Sequence, residues 1–243
     1  DGMTYTFTLR DGLQWHDGKP VRSADCIASI QRWGKRDGMG QKLADFTESW
    51  TANNDKKFTL KLKEPYGLVI DSLGKISSNV PFMMPERLAK TDAFEPVPEN
   101  IGSGPFVFDK DAWVPGSKIV YRKNKNYKPR SEPASYAAGG KRVHFDTVEW
   151  IYIPDPATSM NALIAGEVDF WETPAVDLVP SMEGNSDITI KVIDPLGTQG
   201  WLRPNHLNPP FDHPKARQAL LHLASQETYL RAIVGDEKFW STC

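Results

Sequence analysis

The chain has 243 residues, 25% of them charged and 40% hydrophobic, a composition that excludes a disordered tail. Its formal net charge of −2 excludes nucleic acid as the main partner, because binding a phosphate backbone requires a basic face. No apolar run reaches the ~18 residues that a membrane-spanning helix needs, and two cysteines, Cys26 and Cys243, are too few for a disulfide framework or a cysteine zinc site.

The length predicts two domains. No signal-peptide pattern precedes Asp1-Gly2-Met3, and a strand pattern starts at once, so a missing N-terminal piece is expected. Residues 4–10 alternate, with Tyr5, Phe7 and Leu9 on one face, which predicts a half-buried strand. Asp11-Gly12 and Asp17-Gly18 are turn dipeptides, and Trp15 between them is expected in the core of a hairpin. Ser23 is the expected N-cap of a first helix, and Asp25 in its first turn complements the helix dipole. Cys26, Ile30 and Trp33 share one face of that helix, so Cys26 reads as a buried thiol and not a nucleophile. Residues 36–41 break the helix. Residues 57–63 alternate again, with Phe58, Leu60 and Leu62 inward and lysines outward, as on an edge or solvated face.

Residues 68–73 are apolar, helix or strand. Residues 77–85 are expected to be irregular and 86–90 a short helix. Gly102-Ser103-Gly104-Pro105 is a loop leading into a strand with Phe106 and Phe108. Pro115-Gly116 turns the chain into a returning strand with Ile119 and Tyr121. Residues 143–153 carry the strongest strand pattern, ended by Pro154 and Pro156. Residues 157–165 predict a helix with Gly166 just past its end. Short strands are expected at 168–171 and 188–192. This strand–helix–strand alternation predicts an α/β fold. Pro214 suits the start of a helix whose Ala216, Ala219, Leu220 and Leu223 share a face.

Few residues carry chemistry on their own. Gly102-Ser103-Gly104 lacks the spacing and the Lys-Ser/Thr of a phosphate loop and precedes a strand, so it reads as a tight turn. No two of the five histidines have the i, i+4 spacing of a helical zinc site. His206, His213 and His222 cluster loosely with Asp212 and read as surface or cap residues before metal ligands. Glu167 and Asp169 could form an acid–base pair, but solvated carboxylates at a strand end are the plainer reading. No Gly-x-Ser-x-Gly elbow is present. Met39, Met83 and Met84 lie in irregular segments, either as adaptable ligand contacts or as plugs beneath loops. In Trp201-Leu202-Arg203-Pro204-Asn205, strand alternation would put Trp201 and Arg203 on one face, an aromatic beside a guanidinium suited to a carboxylate or planar group.

Taken in order, several motifs resemble one family. Residues 5–13 (Tyr5-Thr6-Phe7-Thr8-Leu9-Arg10-Asp11-Gly12-Leu13) with Trp15-His16-Asp17-Gly18-Lys19-Pro20-Val21 resemble the opening signature of the family 5 solute-binding proteins. These are the dipeptide- and oligopeptide-binding proteins of bacterial ABC importers. Ser23-Ala24-Asp25-Cys26 resembles the start of the family's next helix. Gly102-Ser103-Gly104-Pro105-Phe106 looks like its Gly-Thr-Gly-Pro-Tyr turn. Ala165-Gly166-Glu167-Val168-Asp169 looks like its Gly-Glu-Val-Asp helix end. Asn205, Pro209-Pro210-Phe211-Asp212 and Arg217-Gln218-Ala219-Leu220 resemble a further segment, and the likeness covers nearly the whole chain.

The resemblance implies an α/β, periplasmic binding protein type II-like fold: lobe I with its inserted subdomain and the start of lobe II. Residues 1–103 would be the inserted subdomain, 104–200 the main part of lobe I, and 201–243 the hinge crossing and the start of lobe II. Cys243 would be a truncation point. It implies a non-enzymatic substrate-binding component of an ABC importer, periplasmic or lipid-anchored, capturing a peptide or peptide-like small molecule and delivering it to membrane permease subunits. A monomer without cofactor or metal is expected. A chemoreceptor partner with the same fold and, less favoured, a hydrolase are the alternatives. By resemblance the ligand-facing residues are Met39, Gly40 and Gln41 in the loop after the first helix, and Trp201 and Arg203 at the lobe crossing. The best-known oligopeptide binders carry Tyr and Glu at the last two positions, so Arg203 favours an acidic ligand group and Trp201 a ring to stack. The family also includes binders of nickel complexes, haem, opines and oligosaccharides.

Overall fold

The computed structural model describes residues 2–242 apart from Ala137 and Leu196; Asp1 and the expected truncation point Cys243 lie outside the described residues. The chain falls into two compact units, Asp1–Tyr152 and Ile153–Cys243.

The first unit begins with β1 (Thr4–Thr8), α1 (Ser23–Trp33), α2 (Gly38–Phe46), β2 (Thr47–Asn54) and β3 (Lys57–Leu62). The three strands form an antiparallel sheet in the order β1-β3-β2, with Tyr5 opposite Leu60 and Phe7 opposite Phe58. The lysine-bearing strand β3 is therefore central, not an edge. Its lysines face solvent, while Phe58, Leu60 and Leu62 are buried, as alternation requires. They pack with Cys26, Ile30, Trp33, Leu43 and Val69 to make the core. Phe7 stacks on Phe58 with ring centroids 5.0 Å apart. Burying Leu60 and Leu62 contributes about 1.5–3 kcal/mol each.

The hairpin holding Trp15 closes through Trp15 N–H to Lys19 O at 2.8 Å, with Gly18 at φ +82°. Trp15 is buried and its indole N–H donates to Asp25 Oδ2 at 3.2 Å. Ser23 is not the N-cap of α1; Arg22 is. Ser23 enters the helix as its first residue, and its hydroxyl turns away to donate to Asn54 O. The backbone N–H of Arg22 is taken instead by Asp25 Oδ2 at 2.7 Å, the reciprocal bond of a capping box. Cys26 is buried as expected. Burial, and secondarily the charge of Asp25, push its thiol up to about 11.

Next come α3 (Val69–Gly74), resolving the helix-or-strand ambiguity, an irregular stretch, and α4 (Glu86–Ala89). A second antiparallel sheet follows from β4 (Phe106–Phe108), β5 (Lys118–Lys123) and β6 (Thr147–Ile151), with β5 central and Val120 buried. The strand expected over 143–153 pairs only over β6. Its partner β5 ends at Lys123, whose N–H reaches Asp146 O, so residues 143–145 have no ladder to join.

The second unit contains α5 (Pro156–Ile164), a 3₁₀ turn (Val176–Leu178), α6 (Val179–Met182), α7 (Pro214–Leu223) and α8 (Gln226–Ile233). Asp155 caps α5 by accepting Thr158 N–H at 2.7 Å, and Gly166 at φ +72° ends it. The strands expected at 168–171 and 188–192 are absent among the described residues. Alternation marks a surface that could be half buried, but a strand needs a ladder partner. Here Glu167 N–H and Val168 N–H fold back onto Ala162 O, and Val192 and Ile193 stay exposed. Across the described chain, helices and sheets mix as an α/β fold requires. No described helix is long and apolar enough to cross a membrane.

Candidate functional site

The segment Met39-Gly40-Gln41 is not a loop but the first turn of α2. The stretch 36–41 does end α1, yet Asp37 immediately caps a second helix. Asp37 Oδ1 accepts the N–H groups of Met39 at 2.9 Å and Gly40 at 3.1 Å, and Asp37 O accepts that of Gln41 at 2.8 Å. All three amides are thus satisfied internally, so a ligand contact here falls to side chains. Met39 is half buried and packs against the core, which makes it partly a plug. Gly40 is buried: a Cβ there would lie 2.9 Å from both Gly34 Cα and Trp33 Cε3. Gln41 is exposed, and its Nε2 donates to Lys35 O at 3.2 Å.

Asp37 has a second partner, Lys75 Nζ, 2.7 Å from Oδ2. Burial pushes the Asp37 carboxyl upward. The hydrogen bonds from Lys75, Gly40 and Met39 and the lysine charge outweigh it, so the group lies below the usual carboxylate range. Neither residue is among those the motifs point to. Asp37 has a legible signal, an N-cap residue before a helical stretch. Lys75 has none, because only the fold brings it to Asp37. Beside this turn a cavity of about 500 Å³ is walled by Ala28, Ile30, Gly40, Leu43 and Trp50, with Arg32, Lys35 and Lys90 also lining it.

In the second unit, Trp201 is 83% exposed and Arg203 is exposed in irregular backbone; the alternation expected of a strand there is not formed. Arg203 makes no hydrogen bond or ion pair among the described residues, and it lines a shallow concavity with Pro204, Asn205 and His206. The turn that follows is tied by hydrogen bonds. Asn205 Oδ1 accepts Leu207 N–H at 3.0 Å, and the Arg217 guanidinium donates to Phe211 O at 2.6 Å and Asp212 O at 3.1 Å. His213 caps α7 through Nδ1, accepting Lys215 N–H at 3.2 Å. Glu167 and Asp169 are exposed carboxylates. The two groups of candidate residues belong to different units: Met39, Gly40 and Gln41 to the first, Trp201 and Arg203 to the second.

The family described as bacterial extracellular solute-binding proteins, family 5 Middle, matches residues 1–238. A probable peptide ABC transporter periplasmic-binding protein, y4tO of Sinorhizobium fredii, is 43% identical over 242 residues, covering 99% of this chain and 45% of that protein. The periplasmic binding protein AgaA of A. tumefaciens R10, solved with agropinic acid, superposes with a TM-score of 0.58 at 27% identity over 76% of this chain and 35% of its own. DppA of Helicobacter pylori, solved with the peptide STSA, gives a TM-score of 0.74 at 23% identity over 97% of this chain and 47% of its own. The chain thus spans less than half the length of these relatives.

Proposed function

We propose a transport role for this chain, which belongs to the bacterial extracellular solute-binding proteins of family 5. The protein is the substrate-binding component of an ABC importer, not an enzyme. It captures a peptide or peptide-like small molecule between two lobes and hands it to the permease from the periplasm. The observation that carries this reading is the continuous family match over residues 1–238, which runs through both compact units. The peptide named for y4tO and DppA and the agropinic acid bound to AgaA support this ligand class. Within this reading residues 1–103 are the inserted subdomain, 104–200 the main part of lobe I, and 201–243 the start of lobe II.

The mechanism is hinge closure, which works only if the ligand binds the closed state more tightly than the open one. Within this reading Met39, Gly40, Gln41, Trp201 and Arg203 serve ligand recognition. The Arg203 guanidinium, without a hydrogen bond or ion pair among the described residues, supports an acidic group on the ligand. Native mass spectrometry of the full-length protein, read for co-purified small molecules, tests the reading. A retained acidic peptide or peptide-like compound is expected. Steady hydrolysis of peptides with none retained would replace the transport reading with the enzymatic one.

A further inference from the structure

Asp37 does more than cap a helix. Capping needs no counter-ion, yet Lys75 brings its ammonium to Asp37 with the two side chains only 15% and 7% exposed. Lys75 follows α3 and opens the irregular segment that runs to Pro85. That segment is tied along α1 by a row of side chains four residues apart. Asp25 Oδ1 accepts Glu86 N–H at 2.7 Å. Ser29 Oγ accepts Met84 N–H at 3.0 Å, and its single proton lies within reach of Asp25 O at 2.7 Å and Met84 O at 3.1 Å. Trp33 Nε1 donates to Asn79 O, and Asp37 Oδ2 accepts from Lys75. Four-residue spacing puts the first three on one helix face, and Asp37 extends their line past the helix end. The segment therefore runs antiparallel to α1.

Asp37 is the rung of this row that also binds α2. One carboxylate oxygen is spent on the amides of Met39 and Gly40, the other on Lys75. With both oxygens fixed, the carboxylate plane is set, and with it the direction in which the first turn of α2 leaves α1. Gly40 against Gly34 fixes the approach of that turn but not its rotation.

The geometry points to Asp37 and Lys75 as positioning residues for ligand recognition: the pair holds the first turn of α2 in the orientation that presents Met39 and Gln41. This rests on the reading that those two side chains face the ligand. Without Lys75 the carboxylate keeps one buried oxygen unpaired and turns toward water, taking the turn with it.

The test uses the full-length protein and a random tetrapeptide mixture, with retained mass read by native mass spectrometry. Lys75→Met is expected to cut retention about tenfold or more, and Lys75→Arg to restore most of it. Asp37→Ser keeps a good neutral cap but loses the ion pair, so it should behave as Lys75→Met. Folded Lys75→Met and Asp37→Ser proteins that retain wild-type amounts would overturn the proposal. Should either fail to fold, native-state amide exchange of the wild type decides. Met39 and Gly40 must open with the same free energy as Met84 and Glu86 if the row acts as a unit, and distinctly easier opening of the first pair overturns it. The double substitution Met39→Ala, Gln41→Ala separates the layers. Unchanged retention removes the ligand-facing reading and this proposal together. Lost retention there with full retention in Lys75→Met and Asp37→Ser overturns the positioning role alone.

Discussion

His16 and Gly102 are joined by two hydrogen bonds in opposite directions. His16 N–H donates to Gly102 O at 2.8 Å, and Gly102 N–H donates to His16 Nδ1 at 3.3 Å. The other ring nitrogen, Nε2, reaches Gly104 O at 3.2 Å, a carbonyl that also accepts from Asn124 Nδ2 at 3.0 Å. With Nδ1 facing the Gly102 N–H, the ring proton that meets Gly104 O sits on Nε2. The hairpin of residues 11–20 thus pins the loop that precedes β4. His16→Ala removes both ring contacts and leaves the Gly102 amide unpaired. A loss of about 1–3 kcal/mol is expected, read as a lower midpoint in urea with an unchanged slope.

The row along α1 makes a second prediction. Ser29→Ala strands the backbone N–H of Met84. A loss of about 1–3 kcal/mol is expected, together with faster exchange of the Met84 amide. An unchanged Met84 exchange rate would show that other contacts hold the segment to α1.

These same residues show how far the sequence can be read. Cys26, Ile30 and Trp33 are legible as a helix face because apolar periodicity reports burial directly. Ser29 and Asp37 lie in the polar row and carry no such signal, since their partners are backbone groups and a lysine more than thirty residues away. Strands β1, β3, β4 and β5 are legible from alternation. Strand β2 is not: Thr47–Asn54 is polar, and pairing with β3 alone makes it a strand. The reverse error falls at 168–171 and 188–192, where the pattern exists without a partner. For the candidate site, the motifs point to Met39-Gly40-Gln41 as a loop, whereas Asp37 caps a helix there; its N-cap signal is legible, but its partner Lys75 is brought to it only by the fold.

Acid titration gives the third prediction. The Asp37 carboxyl is held below its unfolded value, so its contribution to stability is complete above the ordinary carboxylate range and is lost as pH falls through the folded value. Other carboxylates are lowered too, among them Asp109 beside Arg122 and Asp155 at its cap. The informative quantity is the difference between wild type and Asp37→Asn. That difference should be constant at neutral pH and shrink below about pH 4. A difference that stays flat to pH 2 would mean that Asp37 titrates alike in the folded and unfolded chains.

Cys26 should be silent toward iodoacetamide at neutral pH in the folded protein, because it is buried and its thiol is pushed up to about 11. In denaturant it should react fully, and peptide mapping separates it from Cys243. The raised value also predicts that stability falls as pH rises from the ordinary thiol range, about 8.5, toward 11, since the unfolded chain releases the proton first. Cys26→Ala should remove that alkaline slope while costing packing.

Two glycines two residues apart test which force governs the start of α2. Helix propensity favours Ala over Gly by about 1 kcal/mol at either position. At Gly38 a Cβ meets nothing within 4 Å, so Gly38→Ala is expected to be neutral or to stabilise by up to about 1 kcal/mol. At Gly40 a Cβ would sit 2.9 Å from Gly34 Cα and from the Trp33 ring. One of these is backbone and the other is a buried indole tied to Asn79 O, so neither yields cheaply. Overpacking of this kind costs about 1–3 kcal/mol and outweighs the propensity gain. Gly40→Ala should therefore lower the urea midpoint, and it should weaken ligand retention as well if the angle between α1 and α2 sets the recognition turn. Equal midpoints for the two variants would show that α2 can shift away from α1 without cost.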